Sequence, residues 1–106
     1  MATPPGEQVG TRLLFENERV RVWELAVEPG ESLETHIHRQ DYLYIVSSGG
    51  LLRFADPANP SDARDVQFED NQVAFVTVPG EGKIDHRLTN IGSKPHRNYV
   101  IELKTP

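Results

Sequence analysis

Short apolar segments alternate along the chain with short polar turns. The turn signals, rich in Gly, Pro, Asn, Asp and Ser, fall at 28–30, 47–50, 56–60, 69–71, 79–82 and 90–95. Gly and Pro supply the backbone conformations that end strands, and Asn and Asp tolerate the same positions. After a longer first interval the turns recur about every ten to twelve residues, which is typical of an all-β protein. This spacing leaves no room for helices of ordinary length.

The segments between the turns have the composition of β-strands. Residues 19–27 are rich in Val, Trp and Leu, and residues 42–46 and 73–78 are aromatic and β-branched. Such side chains pack well on a pleated sheet. Residues 98–103 alternate between polar and apolar, so one face of that strand is apolar. No segment keeps a 3.6-residue period. About eight short strands are predicted, and they can bury their apolar faces in a β-sandwich or a small barrel.

The length predicts one domain. A chain of 106 residues suits a single domain with one hydrophobic core. Pro4 and Pro5 lie in a polar N-terminal segment, so residues 1–11 are predicted to form a flexible arm and residues 12–106 the domain. The proline-containing stretch 57–60 is predicted to be a surface loop.

Charge and cysteine content exclude several classes of function. The chain has no cysteine, which excludes disulfides, thiolate metal sites and cysteine nucleophiles. Eleven basic against sixteen acidic residues give a net charge of −5, which argues against binding to nucleic acid or anionic membranes. The apolar runs are far shorter than the ~20 residues of a transmembrane helix. The N-terminus also lacks the features of a signal peptide. We therefore expect a cytoplasmic protein.

Three histidines form a candidate metal site. His36 and His38 are separated by one residue, so on a strand they project from the same face, close enough to share one cation. His86 follows the turn at 79–82 and comes from a different strand. The alternative to metal binding is that the His-X-His pair belongs to the polar face of an exposed strand. The fourth histidine, His96, is predicted to lie at the surface in a turn.

Two stretches around these histidines resemble the motifs of the cupin superfamily. The first motif reads Gly30-x5-His36-x-His38, with a strand that ends at Gly49, and the second reads Pro79-Gly80-Glu81-Gly82 and then His86-x3-Asn90. The resemblance implies a cupin-type jelly-roll barrel, also called a double-stranded β-helix, over residues 12–106. It also implies a metal bound by His36, His38 and His86. The string His-x-His-x-x-Asp-Tyr further resembles small single-domain cupins, some of them named as β-alanine degradation proteins.

The position of a fourth ligand departs from the cupin pattern. Cupins usually carry a glutamate three or four residues after the second histidine, where this chain has Tyr42 and Leu43. Without a bulge, Tyr42 shares the face of the histidines and can hydrogen-bond a metal-bound water or ligate weakly. A bulge near Gln40 instead turns Asp41 inward as a carboxylate ligand. Tyr42 and Asp41 are also the candidates for a catalytic role, whereas Tyr44 is expected to fill the barrel.

The chemistry of the site leaves the metal open. Imidazole ligands with open coordination positions suit one divalent ion of zinc, iron, nickel, manganese or cobalt. No glycine-rich phosphate loop or serine nucleophile elbow is present, so no organic cofactor is predicted. Asn90 is expected to hold the turn that follows it. Glu24, Arg53 and Arg87 are expected on the outer face of their strands.

The function predicted from these features is that of a small metal-binding cupin. As an enzyme it would use the metal to oxygenate, isomerise or decarboxylate a small polar metabolite. The alternative is a non-catalytic module that binds or senses a small molecule on the same fold. A third reading is a metal-free β-barrel with a structural or interaction role. The resemblance also implies a homodimer, in which the N-terminal segment lies across the partner.

Overall fold

The computed structural model describes residues 6–104, and this part of the chain contains strands and no helix. The prediction of an all-β fold is therefore confirmed. The strands are β1 (Arg12–Glu16), β2 (Val20–Val27), β3 (Ser32–Leu33), β4 (His36–His38), β5 (Tyr42–Ser48), β6 (Gly50–Asp56), β7 (Asn59–Phe68), β8 (Val73–Val76), β9 (Lys83–Asp85), β10 (Arg87–Asn90) and β11 (His96–Leu103). In the same range no helix has the length and apolar character needed to cross a membrane.

The strands form two antiparallel sheets and one short ribbon. The larger sheet has the order β1-β2-β11-β5-β8, and the second has the order β3-β10-β6-β7. The ribbon consists of β4 and β9. Along the chain, β4 lies between β3 and β5, and β9 lies between β8 and β10. Both ribbon strands are therefore crossings between the two sheets, and this is why residues distant in sequence meet there.

The core lies between the two sheets. Leu25 and Val27 from β2 pack with Leu52 from β6 and Leu88 from β10, which joins the sheets face to face. The inward residues alternate with outward ones along each strand, as the pleat requires. A second cluster includes Trp23 and lies on the inner face of the larger sheet.

The predicted turns lie at the ends of strands except at 47–50, where Gly49 alone separates β5 from β6. The turn at 79–82 shows the reason most clearly, because Gly82 has a φ of 92°. A side chain there would also meet the side chain of Ile37, with the nearest atom 2.8 Å from the added carbon. Gly82 therefore lets β9 begin close against β4. The stretch 57–60 is not a loop: residues 57 and 58 form a tight turn, and β7 starts at Asn59, paired with Asp56.

The N-terminal segment is packed where the structure describes it. Residues 1–5 of the predicted flexible arm lie outside the described residues. Gly6 forms a parallel bridge with His36, and its carbonyl accepts a hydrogen bond from the Ile37 backbone N–H at 2.8 Å. Val9 is only 1% exposed and belongs to the core. Residues 6–11 are thus anchored on the barrel of their own chain, because Val9 buries apolar surface there.

His96 lies in the interior, so the prediction of a surface position was wrong. It is the first residue of β11 and is 1% exposed. Its Nε2 donates to Asn98 Oδ1 at 2.8 Å. The turn ends at Pro95, and β11 carries His96 directly into the interior. The Asn90 amide donates to the carbonyls of Val27 and Lys94, each at 2.9 Å, which confirms its predicted role.

Candidate metal centre

The β4–β9 ribbon places four polar side chains on one face. The antiparallel register sets His36 opposite Asp85 and His38 opposite Lys83. Because side chains alternate along a strand, all four project from the same side. Ile37 and Ile84 lie between these pairs and project from the opposite side. The predicted pairing of His36 and His38 on one strand face is therefore confirmed, and both are buried.

Three ligand atoms converge on this face. His36 Nε2 and His38 Nε2 are 3.1 Å apart. Asp85 Oδ2 lies 2.9 Å from His38 Nε2 and 3.4 Å from His36 Nε2. Together the three residues form a group with the ligand types and mutual distances of a metal site.

These separations fit a shared cation. Two ligand atoms that are each about 2.1 Å from one ion lie about 3.0 Å apart at a right angle and about 3.4 Å apart at the tetrahedral angle. Hydrogen bonds alone serve the group poorly, because when both imidazoles donate from Nε2 to Asp85 Oδ2, their two N–H groups face each other at 3.1 Å without a bond between them. His38 Nδ1 is buried without a hydrogen-bond partner in the described structure. That nitrogen lacks the outer hydrogen bond that usually orients a ligating imidazole.

Lys83 fixes the carboxylate of Asp85. Its ammonium contacts Asp85 Oδ1, which leaves Oδ2 directed at the two histidines. Burial alone would raise the pKa of Asp85, but hydrogen bonds from His36, His38 and Lys83 hold it well below its usual range. Asp85 is therefore ionised, as a metal ligand must be.

His86 does not join the described cluster. Its side chain is exposed and lines a surface pocket together with Lys83 and Asp85. Asp85, one residue earlier, takes the third position beside His36 and His38. The sequence carried one signal for this, since Lys83 and Asp85 alternate with an apolar residue just before His86.

The two fourth-ligand candidates have different surroundings. The Asp41 carboxylate accepts a hydrogen bond from the Val78 backbone N–H at 2.8 Å, so it holds the segment that follows β8. Tyr42 is buried, and its ring stacks on His38 with the ring centroids 4.0 Å apart. Burial, with a contribution from the negative charge of Asp85, raises the pKa of Tyr42 above its usual value. Its phenol is therefore neutral and suited to donate a hydrogen bond.

The candidate metal centre forms one wall of a cavity of about 290 Å³. His36, His38, Asp85 and Tyr42 all line it. Tyr44 lines it as well and packs against the core, as expected of a residue that fills the barrel. A ligand in this cavity would therefore lie directly against the candidate metal position.

The three residues expected on outer faces do not line this cavity. Glu24 pairs with Arg12 at 3.4 Å across the edge of the larger sheet. Arg53 makes two hydrogen bonds to Asp65, at 2.7 and 3.1 Å. Arg87 is exposed. These side chains thus belong to the outer surface, as predicted.

Comparisons with known proteins bear on the fold. Neither the protein-family models nor the curated proteins gave a match. A cupin domain from Bordetella pertussis Tohama I is similar over 98% of this chain and 100% of its own, with a TM-score of 0.73 and 21% identity. This chain has the cupin fold.

Further cupin structures agree with this assignment. An RmlC-like cupin family protein from Methanocaldococcus jannaschii, with a double-stranded β-helix fold, has a TM-score of 0.63 and 15% identity over 87% of this chain and 76% of its own. A sugar phosphate isomerase from Silicibacter pomeroyi DSS-3, described as from a cupin superfamily, has a TM-score of 0.53. It is 21% identical over 83% of this chain and 52% of its own. The predicted jelly-roll barrel is confirmed, and at these identities the likeness extends to the fold alone.

Proposed function

We propose that this cupin barrel is a metal-dependent enzyme. It holds one divalent ion with His36, His38 and Asp85 and acts on a small molecule in the adjoining cavity. The observation that carries the proposal is the convergence of three buried ligand atoms, 2.9–3.4 Å apart, on the cavity wall. A ligand set that opens into a cavity leaves coordination positions for substrate.

The ligand types favour ferrous iron among the metals predicted from the sequence. Two histidines and one carboxylate on one side of an ion, with open positions on the other, are the donor set of non-haem iron oxygenases. When bound, such an ion supplies oxygen activation next to the substrate. Zinc, nickel, manganese and cobalt accept the same ligands, so iron is the first metal to test.

The residues around the ligands have distinct roles in this proposal. Lys83 is a positioning residue, since it holds one oxygen of Asp85 and directs the other at the histidines. Tyr42, neutral and stacked on His38, is placed to donate a hydrogen bond to a ligand in the cavity. The apolar walls exclude water, which strengthens electrostatic interactions inside.

A non-catalytic binding module is the second candidate. Apart from the proposed ligands, the ionisable side chains that line the cavity in the described structure are Tyr42, Tyr44, Arg64 and Lys83. None of these types is an ordinary general base near neutral pH. Without turnover at the metal, the cavity would therefore bind a ligand and leave it unchanged. Three further expectations remain predictions: the likeness to cupins named as β-alanine degradation proteins, the cytoplasmic location and the homodimer.

Metal content and turnover test the proposal together. Untagged protein is stripped with a chelator, reloaded anaerobically with Fe²⁺, Zn²⁺, Ni²⁺, Mn²⁺ or Co²⁺, desalted and measured by elemental analysis. We expect about one ion per chain. The iron form is then incubated in air with small carboxylates, amino-acid derivatives and sugars, and oxygen uptake and products are followed. Conversion supports the enzyme, and saturable binding without conversion supports the module. Failure to retain any of the five metals contradicts both.

A further inference from the structure

The walls of the cavity are mainly apolar. Leu25, Leu52, Phe68 and Val100 line it from both sheets. Its volume of about 290 Å³ is close to the lower end of the range of about 300–1,000 Å³ for small-molecule sites. Apolar walls stabilise a ligand by removing its apolar surface from water. The cavity therefore suits a small molecule with an apolar body rather than a polyhydroxylated one.

The charged groups of the cavity are unlike those of the whole protein. The chain carries a net charge of −5, yet the charged side chains that line the cavity are two basic residues, Arg64 and Lys83, and one acidic residue, Asp85. Lys83 is neutralised by its contact with Asp85. A divalent ion at the proposed site would make the cavity more positive still. The cavity is thus a basic region within an acidic protein, and it favours an anion.

Arg64 provides the unbalanced positive charge. It lies on β7 opposite Phe54 and shares an inward face with Val66 and Phe68. Its guanidinium carbon is 5.7 Å from the centre of the Phe54 ring. Among residues 6–104 no carboxylate lies within ion-pair distance of Arg64. Because its side chain is exposed and also lines the cavity, Arg64 lies at the mouth.

The neighbouring arginine shows how different this position is. Arg53 also lies in the β6–β7 hairpin, but it faces outward and makes two hydrogen bonds to Asp65. An inward-pointing charge on an edge strand such as β7 also discourages edge-to-edge pairing between molecules. That role does not require the charge to line a basic, apolar cavity.

We propose that Arg64 is an anion-binding residue and that the natural ligand is a small monocarboxylate with a short apolar body. This inference rests on the proposed metal site. The planar guanidinium pairs with a carboxylate through two parallel hydrogen bonds. The apolar body lies along the cavity walls, and its far end faces His36, His38 and Asp85.

Ligand titration of matched variants tests this inference. Butyrate, hexanoate, benzoate and the neutral 1-hexanol are titrated calorimetrically into the zinc-loaded protein and into Arg64→Met, Arg64→Lys and Arg53→Met. We expect Arg64→Met to weaken binding of the carboxylates about tenfold, since a hydrogen-bonded charge pair is lost. It should leave 1-hexanol unaffected. Arg64→Lys should keep most of the affinity, and Arg53→Met should match the native protein. Equal affinity of native protein and Arg64→Met for every carboxylate would overturn the proposal, as would the failure of all three to bind.

The same samples separate this proposal from the metal site. Zinc content is measured in each, and the titrations are repeated on metal-free protein. Protein that holds zinc but binds no carboxylate contradicts the role of Arg64 and leaves the metal site standing. Protein that holds no zinc is reloaded with the other four metals; failure to hold any of them contradicts the metal site, and the titration of the metal-free form still tests Arg64.

Discussion

Asp85 and His86 are neighbours in sequence whose side chains have opposite surroundings. β9 ends at Asp85 and β10 begins at Arg87, so His86 lies at the break between two strands of different sheets. Asp85 points into the barrel with Lys83, and Leu88 points inward again after the break. The alternation therefore shifts by one residue at His86. A single uninterrupted strand ending at Asn90 would have placed His86 inside.

Removing each of these side chains in turn tests which one binds the metal. We expect Asp85→Ala to weaken zinc affinity by more than about a hundredfold, because it removes a ligand and not an outer contact. His86→Ala should retain native affinity. The measurement is a competition titration with a chromogenic chelator, with thermal melting to verify that both variants fold. The reverse result, with metal lost only in His86→Ala, would support the ligand set predicted from the sequence.

His96 has no place in the metal centre, yet its burial has a consequence. Its ring lies 5.4 Å from that of Phe68, and its Nδ1 is buried without a hydrogen-bond partner in the described structure. Burial lowers the pKa of His96, and the hydrogen bond with Asn98 opposes this only in part. The folded protein therefore resists protonation of this ring more than the unfolded chain does.

This difference predicts a loss of stability in mild acid. Below pH ~6.5 the unfolded chain takes up a proton at His96 that the folded protein does not, so the free energy of unfolding falls as the pH falls, until the lower pKa of the folded state is reached. The loss is at most about 1.4 kcal/mol per pH unit for one proton. His96→Gln keeps a donor toward Asn98 and does not titrate. Urea denaturation of metal-free native protein and variant at pH 7.5 and 5.0 should therefore show a smaller loss in the variant. The other histidines are common to both, and an equal loss would contradict the prediction.

At the level of elements, the sequence predicted the features that arise within a single strand or turn. The turns and the apolar strands follow from local composition, and the His36–His38 pair follows from alternation within β4. β7 was missed because its first half is polar and charged, which suits an edge strand but resembles a loop. Asp85 was missed because its orientation depends on β9 pairing with β4, and no local signal marks the break after it.

The N-terminal segment is another part of the fold that local sequence could not predict. Its prolines and polar residues favour a loose arm, and one apolar residue, Val9, decides the outcome for residues 6–11. Val9 packs with Trp23, Tyr42 and Val100, three residues from three different strands. No local pattern brings these together. Tertiary packing therefore overrides composition where a single buried side chain finds a complete pocket.

For the whole molecule, the outer face of the larger sheet is the main unexplained surface. In register across all five strands it carries the row Phe15, Val22, Ile101, Leu43 and Phe75. Phe15 is 54% exposed and Phe75 59% exposed. Five strands about 4.8 Å apart place the two ends of this row roughly 19 Å from each other. Exposed apolar patches of this kind mark association sites.

A second copy of the chain is the occupant that this face suits. The row has a phenylalanine at each end and β11 at its centre. A two-fold axis along β11 would set Phe15 of one copy over Phe75 of the other, and a self-complementary contact of this kind is what a symmetric dimer requires. A fully covered five-stranded face is comparable with the ~800 Å² per partner of a standard interface. The net charge of −5 argues against an anionic membrane in its place.

The homodimer that the cupin resemblance implies can therefore be tested at a specific surface. We expect light scattering coupled to size exclusion to give twice the chain mass of 11.9 kDa. Phe75→Ser should raise the dimer dissociation constant at least about tenfold, because aromatic anchors dominate such contacts. Ile84→Ser is the matched control: Ile84 is 48% exposed but lies on the β4–β9 ribbon, away from the face. It should leave the dimer intact. A native protein that is monomeric at every concentration, or a Phe75→Ser variant that dimerises as tightly as the control, would show that the apolar face is not the contact between copies.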